Sequence, residues 1–203
     1  MAPVSDIAET PERTGESLRT HLRAATMTAH DLLDHAMQAA SGWKNRADYG
    51  RFLTLQYAAR APLEMWLAAH APADLAPPVQ TPLLERDLAA LGMGLPHACP
   101  VFDPGYTPST LRPGEALGTA WVLAGSALGN RAIAKQVARI GGGTWPVAFL
   151  EDDAMMGFWQ GLRARIDRPP AAGEAEGAAH AAEAVFAHFL AVADAAAGEQ
   201  IPA

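Results

Sequence analysis

The stretch that decides the fold is Gly118-Thr-Ala-Trp-Val-Leu-Ala-Gly-Ser-Ala-Leu-Gly-Asn-Arg-Ala-Ile133. It has helical length and no proline, yet it carries three glycines, each of which costs about 0.5–1 kcal/mol relative to alanine inside a helix. Gly118, Gly125 and Gly129 share one helical stripe with Val122. A stripe with no side chains suits either close packing of a second helix or a ligand face against the backbone, and both interpretations stay open here.

The composition of the chain favours an all-α domain. Its 203 residues are enough for one domain with a sizeable core, and 50% of them are hydrophobic. Valine and isoleucine are sparse, and no alternating apolar runs predict strands. The net charge of −7 argues against general nucleic-acid binding. A single cysteine, Cys99, excludes an internal disulfide and is compatible with a reducing cytoplasm.

The chain ends and the hydropathy pattern suggest a cytoplasmic protein without a membrane partner. The N-terminus has no basic-then-apolar signal pattern, and no uncharged apolar run reaches the roughly 18 residues that span a bilayer. We expect a flexible N-terminal tail at 1–16, one helical domain at 17–197 and a C-terminal tail at 198–203. Short connections and amphipathic faces predict an antiparallel bundle of six helices. Their predicted ranges are 18–40, 48–67 with a bend at Pro62, 82–91, 115–140, 149–166 and 178–197.

The first helix carries the best candidate ligand. Its predicted core stripe consists of Leu18, Leu22, Ala25, Ala29, Leu33 and Ala36, and a second face beside it holds Arg23, Thr26, His30 and Met37. His30 and Arg23 are two turns apart on one side of the helix, so together they suit an anionic ligand. The alternative is an exposed histidine beside a solvated arginine.

Most catalytic signatures are absent from the sequence. It has no Ser-His-Asp, P-loop or Rossmann pattern and no Glu-x-x-His pair for a di-iron site. We interpret His180 and His188 as structural or exposed. A haem site needs an imidazole for the iron, a bare helix face and cations for the propionates. His30, the glycine stripe and the arginines Arg23 and Arg163 supply those parts.

Several motifs, in order, resemble a known family. Leu22-Arg-x-x-Thr26-x-x-x-His30-x-x-Leu33-Asp34 resembles the proximal helix of haem (heme) oxygenases, particularly the bacterial bacteriophytochrome-associated branch. The segments that resemble its later helices are Asp48-Tyr49-x-x-Phe52 through Pro62-Leu63-Glu64, Leu83-Leu84-x-x-Asp87-Leu88-x-x-Leu91-Gly92, and Val122-Leu-Ala-Gly125-Ser126-x-Leu-Gly129. The similarity spans most of residues 18–195.

The resemblance implies a haem-oxygenase-like multi-helix bundle that opens haem to biliverdin, carbon monoxide and ferrous iron, using O2. His30 matches the axial ligand of the haem iron, and Arg23 and Arg163 match propionate contacts. Gly125 and Gly129 match distal glycines, and Ser126 falls where animal-type members carry an aspartate. An external electron donor, a ferredoxin or a flavoprotein reductase, is also implied, as is a bacteriophytochrome pathway.

Further residues complete the predicted pocket. We expect Thr26, Val122 and Phe186 to line it, and Ser126 and Asn130 to hold distal waters.

Three departures from the family pattern keep alternatives open. Asn130 stands where the family usually has a glycine, Ala124 replaces a common glutamate, and Trp121 replaces a tyrosine. One alternative is therefore a haem-binding protein of this fold without turnover. Another is a non-haem fold relative, either a di-iron oxidase or a thiaminase-type enzyme.

Overall fold

The computed structural model describes residues 16–41, 43–104 and 112–198. Within these ranges the chain is an all-α multi-helix bundle with no strand, as predicted. Its helices are α1 (Leu18–Ala40), α2 (Arg46–His70), α3 (Thr81–Ala90), α4 (Glu115–Ile140), α5 (Asp153–Ile166) and α6 (Glu174–Gly198). The predicted terminal tails fall almost wholly outside the described residues.

Side-chain caps fix several helix ends. The Ser17 hydroxyl accepts a hydrogen bond from the Thr20 amide at the start of α1, and the Asn45 side chain accepts one from Asp48 at the start of α2. Such caps satisfy amide groups that have no partner inside the helix. The bounds of α1 and α4 agree at both ends with the predicted ranges 18–40 and 115–140.

Two helix starts differ from the prediction by four residues, whereas the bounds of α2 and α3 differ by one to three. α5 begins at Asp153 rather than at 149, because the amides of Ala148 and Phe149 donate to the Asp87 carboxylate instead of joining a helix. α6 begins at Glu174 rather than at 178. Gly173 supplies the left-handed turn before it, with φ +74°.

α2 continues through Pro62, as predicted. Proline has no amide hydrogen, so the carbonyl of Ala58 gets no helical bond from position 62. The next carbonyl, that of Ala59, lies 3.1 Å from His188 Nε2 on α6. This contact ties α2 to α6 where the proline weakens the helical ladder.

The arrangement of the helices corrects the expected antiparallel bundle. α6 is central and packs on α1, α2 and α4. The amide of Leu18 donates to the carbonyl of Arg168, just before α6, at 2.8 Å, and Gly118 lies against Ala178 of α6. α1, α4 and α6 therefore begin at one end of the molecule and run parallel, while α2 and α5 run antiparallel to α4.

The buried side of α1 also differs in part from the prediction. Leu18, Leu22, Thr26, Met37 and Ala40 are buried. Ala25, which was expected in the core, is exposed. The core side of α1 thus includes two residues, at 26 and 37, that the sequence had assigned to the ligand face.

α6 has one further property that bears on localisation. In the part of the chain that the structure describes, it is long and apolar enough, by length and composition alone, to cross a membrane. Within the bundle, 44% of its most apolar window is buried. The core helix of a folded domain meets the same criteria.

Candidate functional site

His30 lies on the exposed side of α1, with 61% of its side chain accessible. The edge of its ring contacts Phe186 of α6, with 6.0 Å between ring centroids. Its Nδ1 atom is 3.4 Å from Oδ2 of Asp34, one turn further along the helix. A carboxylate beside Nδ1 favours the tautomer in which Nε2 is free to bind a metal.

The glycine stripe of α4 divides into two parts. A Cβ atom at Gly118 would overlap the backbone of Ala178. At Gly125 it would meet only the ring of Trp159, at 3.6 and 3.7 Å, and at Gly129 it would meet nothing within 4 Å. The packing interpretation is therefore right for Gly118, whereas the stripe is open at Gly129.

The parallel helices bring His30 and the open part of the stripe to the same level. His30, Ser126 and Phe186 each lie about twelve residues from the shared end of α1, α4 and α6, which corresponds to about 18 Å along a helix. α1 and α4 both pack on α6, and residues near the starts of both helices belong to one apolar core cluster. We call the surface between His30 on α1 and Gly125–Gly129 on α4 the α1–α4 groove; its two sides are joined through α6, whose Phe186 contacts His30.

The other predicted site residues differ in how deeply they are buried. Val122 is half-buried on α4, and Phe186 is buried. Thr26 is buried too, and its hydroxyl donates to the Leu22 carbonyl at 2.8 Å, so it faces the packing side of α1. Arg23 and Arg163 are exposed on α1 and α5. The structure shows no contact between either arginine and His30.

Two hydrogen-bond donors near the groove have no partner. Asn130 is buried beside Ser126 on α4, and its Nδ2 atom is unpaired. Trp159 contacts Gly125 with its ring, and its Nε1 atom is also unpaired. An unpaired buried donor costs about 1–3 kcal/mol, so a ligand or water that accepts from it would be favoured.

Sequence reasoning missed one central residue, Arg60 on α2. It is only 1% exposed. Its guanidinium donates to Gln56 Oε1 at 3.1 Å, to Gln80 Oε1 at 2.7 Å and to Ser126 Oγ at 2.7 Å. Arg60 therefore connects α2 directly to the predicted distal serine.

Aromatic rings and polar side chains surround this guanidinium. Its Cζ atom is 4.9 Å from the Phe149 ring centroid and 5.9 Å from that of Phe189. Burial lowers the pKa of Arg60 to about 10, against the opposing effect of the Glu64 and Asp152 charges. Arg60 thus keeps its positive charge at neutral pH.

One sequence signal could have revealed this network. Gln56, Arg60 and Glu64 are spaced by four residues, so they form a polar stripe on a helix whose other neighbours are mainly apolar. All three are buried. Gln80 completes the network, since its amide nitrogen Nε2 donates to Asp152 Oδ2 at 2.9 Å and its backbone amide donates to Glu64 at 2.7 Å.

A cavity of about 680 Å³ lies elsewhere, at the N-terminal end of α4. Glu115, Arg165 and Arg168 are among the residues that line it. Arg165 pairs with Asp74, and Arg168 pairs with Glu174. Because these cations are already bound to carboxylates, the α1–α4 groove is the better candidate site.

Comparison with known proteins adds no assignment. No family model matches the chain, and a search of curated proteins finds no match. Among the described residues there is also no group of three or more His, Cys, Asp or Glu side chains that is suited to a metal ion.

Proposed function

We propose that this protein is a haem oxygenase that opens haem to biliverdin, carbon monoxide and ferrous iron. The observation that carries the proposal is the α1–α4 groove, where an exposed histidine and a glycine face without side chains lie at one level. This combination suits a flat macrocycle, because the imidazole could bind its iron on one face and the other face could lie against the glycine backbone. Haem is the substrate, and its iron and ring supply the redox chemistry.

The residues of the chain would bind and orient that substrate. His30 would bind the haem iron through Nε2, with the Asp34 carboxylate 3.4 Å from the other ring nitrogen, Nδ1. Gly125 and Gly129 allow the macrocycle to approach α4 closely. Arg23 and Arg163, both exposed, would bind the propionates after side-chain rotation.

The distal side would use Ser126 and Asn130 to hold waters that move protons. Asn130 supplies an unpaired amide for this role. Electrons would come from a ferredoxin or a flavoprotein reductase in the cytoplasm. The biliverdin product would suit a bacteriophytochrome pathway.

The departures at Ala124 and Asn130 have separate consequences. Ala124 is fully buried in the core that α4 shares with α1 and α5, so the missing glutamate does not alter the groove directly. Asn130 is buried next to Ser126 and retains an unpaired donor. A haem-binding protein without turnover is the second candidate, because this amide sits where a glycine would leave space.

Haemin titration tests the proposal. The wild-type protein is compared with His30→Ala and with the matched control His35→Ala, which removes an exposed histidine of the same helix. We expect a Soret band at one haemin per chain in the wild type and the control. In His30→Ala the band should shift and the affinity should fall at least tenfold.

Turnover is tested next on the same complexes. Ascorbate, or a ferredoxin with its reductase, is added under air. Loss of the Soret band with growth of a broad red biliverdin band supports haem oxygenase activity. A stable Soret band instead supports the second candidate, and the absence of stoichiometric haemin binding refutes both.

A further inference from the structure

We propose that the cavity of about 680 Å³ at the start of α4 is a second binding site, which takes a free α-amino acid with an apolar side chain. The site is separate from the α1–α4 groove, since Glu115 in its wall precedes Gly125 by ten residues, or about 15 Å along the helix. Its volume lies within the range of about 300–1,000 Å³ that is usual for ligand pockets.

Two glutamates line the cavity, one at the first position of α4 and the other at the first position of α6. Each accepts a hydrogen bond from the backbone amide three residues before it, Glu115 from Arg112 and Glu174 from Ala171, both at 2.8 Å. Glu174 also binds the Arg168 guanidinium through both of its oxygens. Among the described residues, Glu115 has no such cation.

The second carboxylate oxygen of Glu115 is therefore an unused acceptor. Glu115 is 1% exposed, and its Oε1 atom is buried without a hydrogen-bond partner. A buried acceptor without a donor is unfavourable, so a ligand that supplies a donor gains affinity. An ammonium group suits a carboxylate best, because the bond between them is charge-assisted. Since Oε1 is covered, a rotation of the Glu115 side chain towards the cavity accompanies binding.

The cations of the cavity wall differ in the same way as the glutamates. Arg165 is paired with Asp74, and Arg168 with Glu174. The Arg112 guanidinium is exposed and forms no ion pair within the described residues. One negative and one positive group, on residues three apart, thus have no charged partner. An α-amino acid matches them, because it carries an ammonium and a carboxylate on one carbon atom.

Apolar residues also line the cavity, and they suit the rest of such a ligand. They are Pro72, Leu75, Ala116, Leu117 and Ala164. Covering an apolar side chain there removes apolar surface from water on both partners. A polar side chain would lose its bonds to water and find few partners among these residues.

Calorimetric titration of the protein without haemin tests the proposal. The probes are L-leucine and L-phenylalanine, each compared with the amine and the acid of the same carbon skeleton. These are isoamylamine and 4-methylpentanoate for leucine, and phenethylamine and 3-phenylpropanoate for phenylalanine. We expect one amino acid to bind per chain, with an affinity about tenfold or more above that of either analogue, because each analogue lacks one of the two charges.

Three variants then locate the site. Glu115→Gln keeps an oxygen for the Arg112 amide but removes the negative charge, so it should weaken the amino acid and the amine about tenfold and leave the acid unchanged. Arg112→Gln should weaken the amino acid and the acid and leave the amine unchanged. Glu176→Gln is the matched control, since it removes an exposed carboxylate in the first turn of α6 that does not line the cavity. It should bind the amino acid like the wild type.

Several results would overturn the proposal. They are the absence of saturable binding of both amino acids, an analogue that binds as tightly as its amino acid, and equal affinities in Glu115→Gln and Glu176→Gln. If Glu115→Gln does not fold, the ligand comparison on the wild type and the exposed Arg112→Gln change decide. Because these titrations contain no haemin, their outcome does not depend on the proposed function.

Discussion

The two ends of α4 use glycine for opposite purposes. At Gly118 the absence of a side chain lets α4 lie directly on the backbone of α6. At Gly129, on the same stripe and three turns later, no atom lies within 4 Å of the place where a Cβ would stand. One pattern of residues thus closes the bundle at one end and leaves it open at the other.

The difference teaches that stripe geometry alone does not give a glycine its role. The role depends on which group faces the glycine, and therefore on how far along its length α4 stays in contact with α6. At the packed end, Gly114 and Gly177 also lie against backbone atoms of the facing segment. At the open end, among the described residues outside α4, the group close to these glycines is the Trp159 ring beside Gly125.

The largest effect is expected at the packed end. Gly118→Val should lower the free energy of unfolding by about 3 kcal/mol or more, because the new side chain overlaps Ala178 and forces two helices apart. Urea denaturation measures the change. Gly129→Ala is the matched control, and it should raise stability by about 0.5–1 kcal/mol through helix propensity. Equal effects of the two substitutions would contradict the division of the stripe.

A smaller effect is expected at the open end, and on a different property. Gly129→Leu places a bulky side chain in the α1–α4 groove, so haemin affinity should fall at least tenfold. The free energy of unfolding should rise by about 0.5–1 kcal/mol, as in Gly129→Ala, since leucine also favours a helix and this position is exposed. Haemin titration and urea denaturation of one preparation give both values. Unchanged haemin affinity would place the ligand away from Gly129.

The smallest expected effect is on the pH dependence of stability. It contrasts His30, which is exposed beside the groove, with His188, which is buried two residues after Phe186 on α6. Burial lowers the pKa of His188, although its bond to the Ala59 carbonyl opposes the shift. At a pH between the two pKa values, this histidine binds a proton in the unfolded chain, where its pKa is about 6.5, but not in the folded state. Stability is therefore complete above about pH 6.5 and decreases as the pH falls towards the lowered pKa of the folded state.

His188→Gln should make stability less dependent on pH while reducing it at neutral pH. The variant loses a ring packed 5.4 Å from Phe102, measured between centroids. Urea denaturation at pH 7.5 and pH 5.0 gives the difference for each protein. An undiminished difference in His188→Gln would show that other groups cause the acid sensitivity.

Local signals predicted much of the fold. The apolar period and the Ser17 cap gave the start of α1, and Gly141 marked the end of α4. The starts of α5 and α6 were harder to predict from the sequence. At α5, the Asp87 carboxylate that accepts a hydrogen bond from the Phe149 amide is distant in sequence. The parallel course of α1, α4 and α6 depends on such long-range contacts and was not predicted.

The candidate site was predictable only in outline. His30 and the glycines stand out by residue type and spacing, and the structure brings them to one level. Thr26 was assigned to the ligand face with Arg23 and His30, but it is buried and its hydroxyl donates to the Leu22 carbonyl on the core side of α1. Arg60 was missed because a charged helix residue is usually exposed, and its burial depends on Gln80, Ser126 and two aromatic rings.

The pairing of α1 with α6 has a consequence for the order of events during synthesis. α1 is among the first parts of the chain to be made, yet its main packing partner ends about 160 residues after it. At about 5–20 residues per second, the ribosome needs roughly 10–30 s to supply that partner. During this interval the apolar side of α1 cannot pack on α6, and Phe186, the α6 residue that contacts His30, has not yet been synthesised. The α1–α4 groove is thus among the last features of the protein to form, because it is complete only after the final helix has docked.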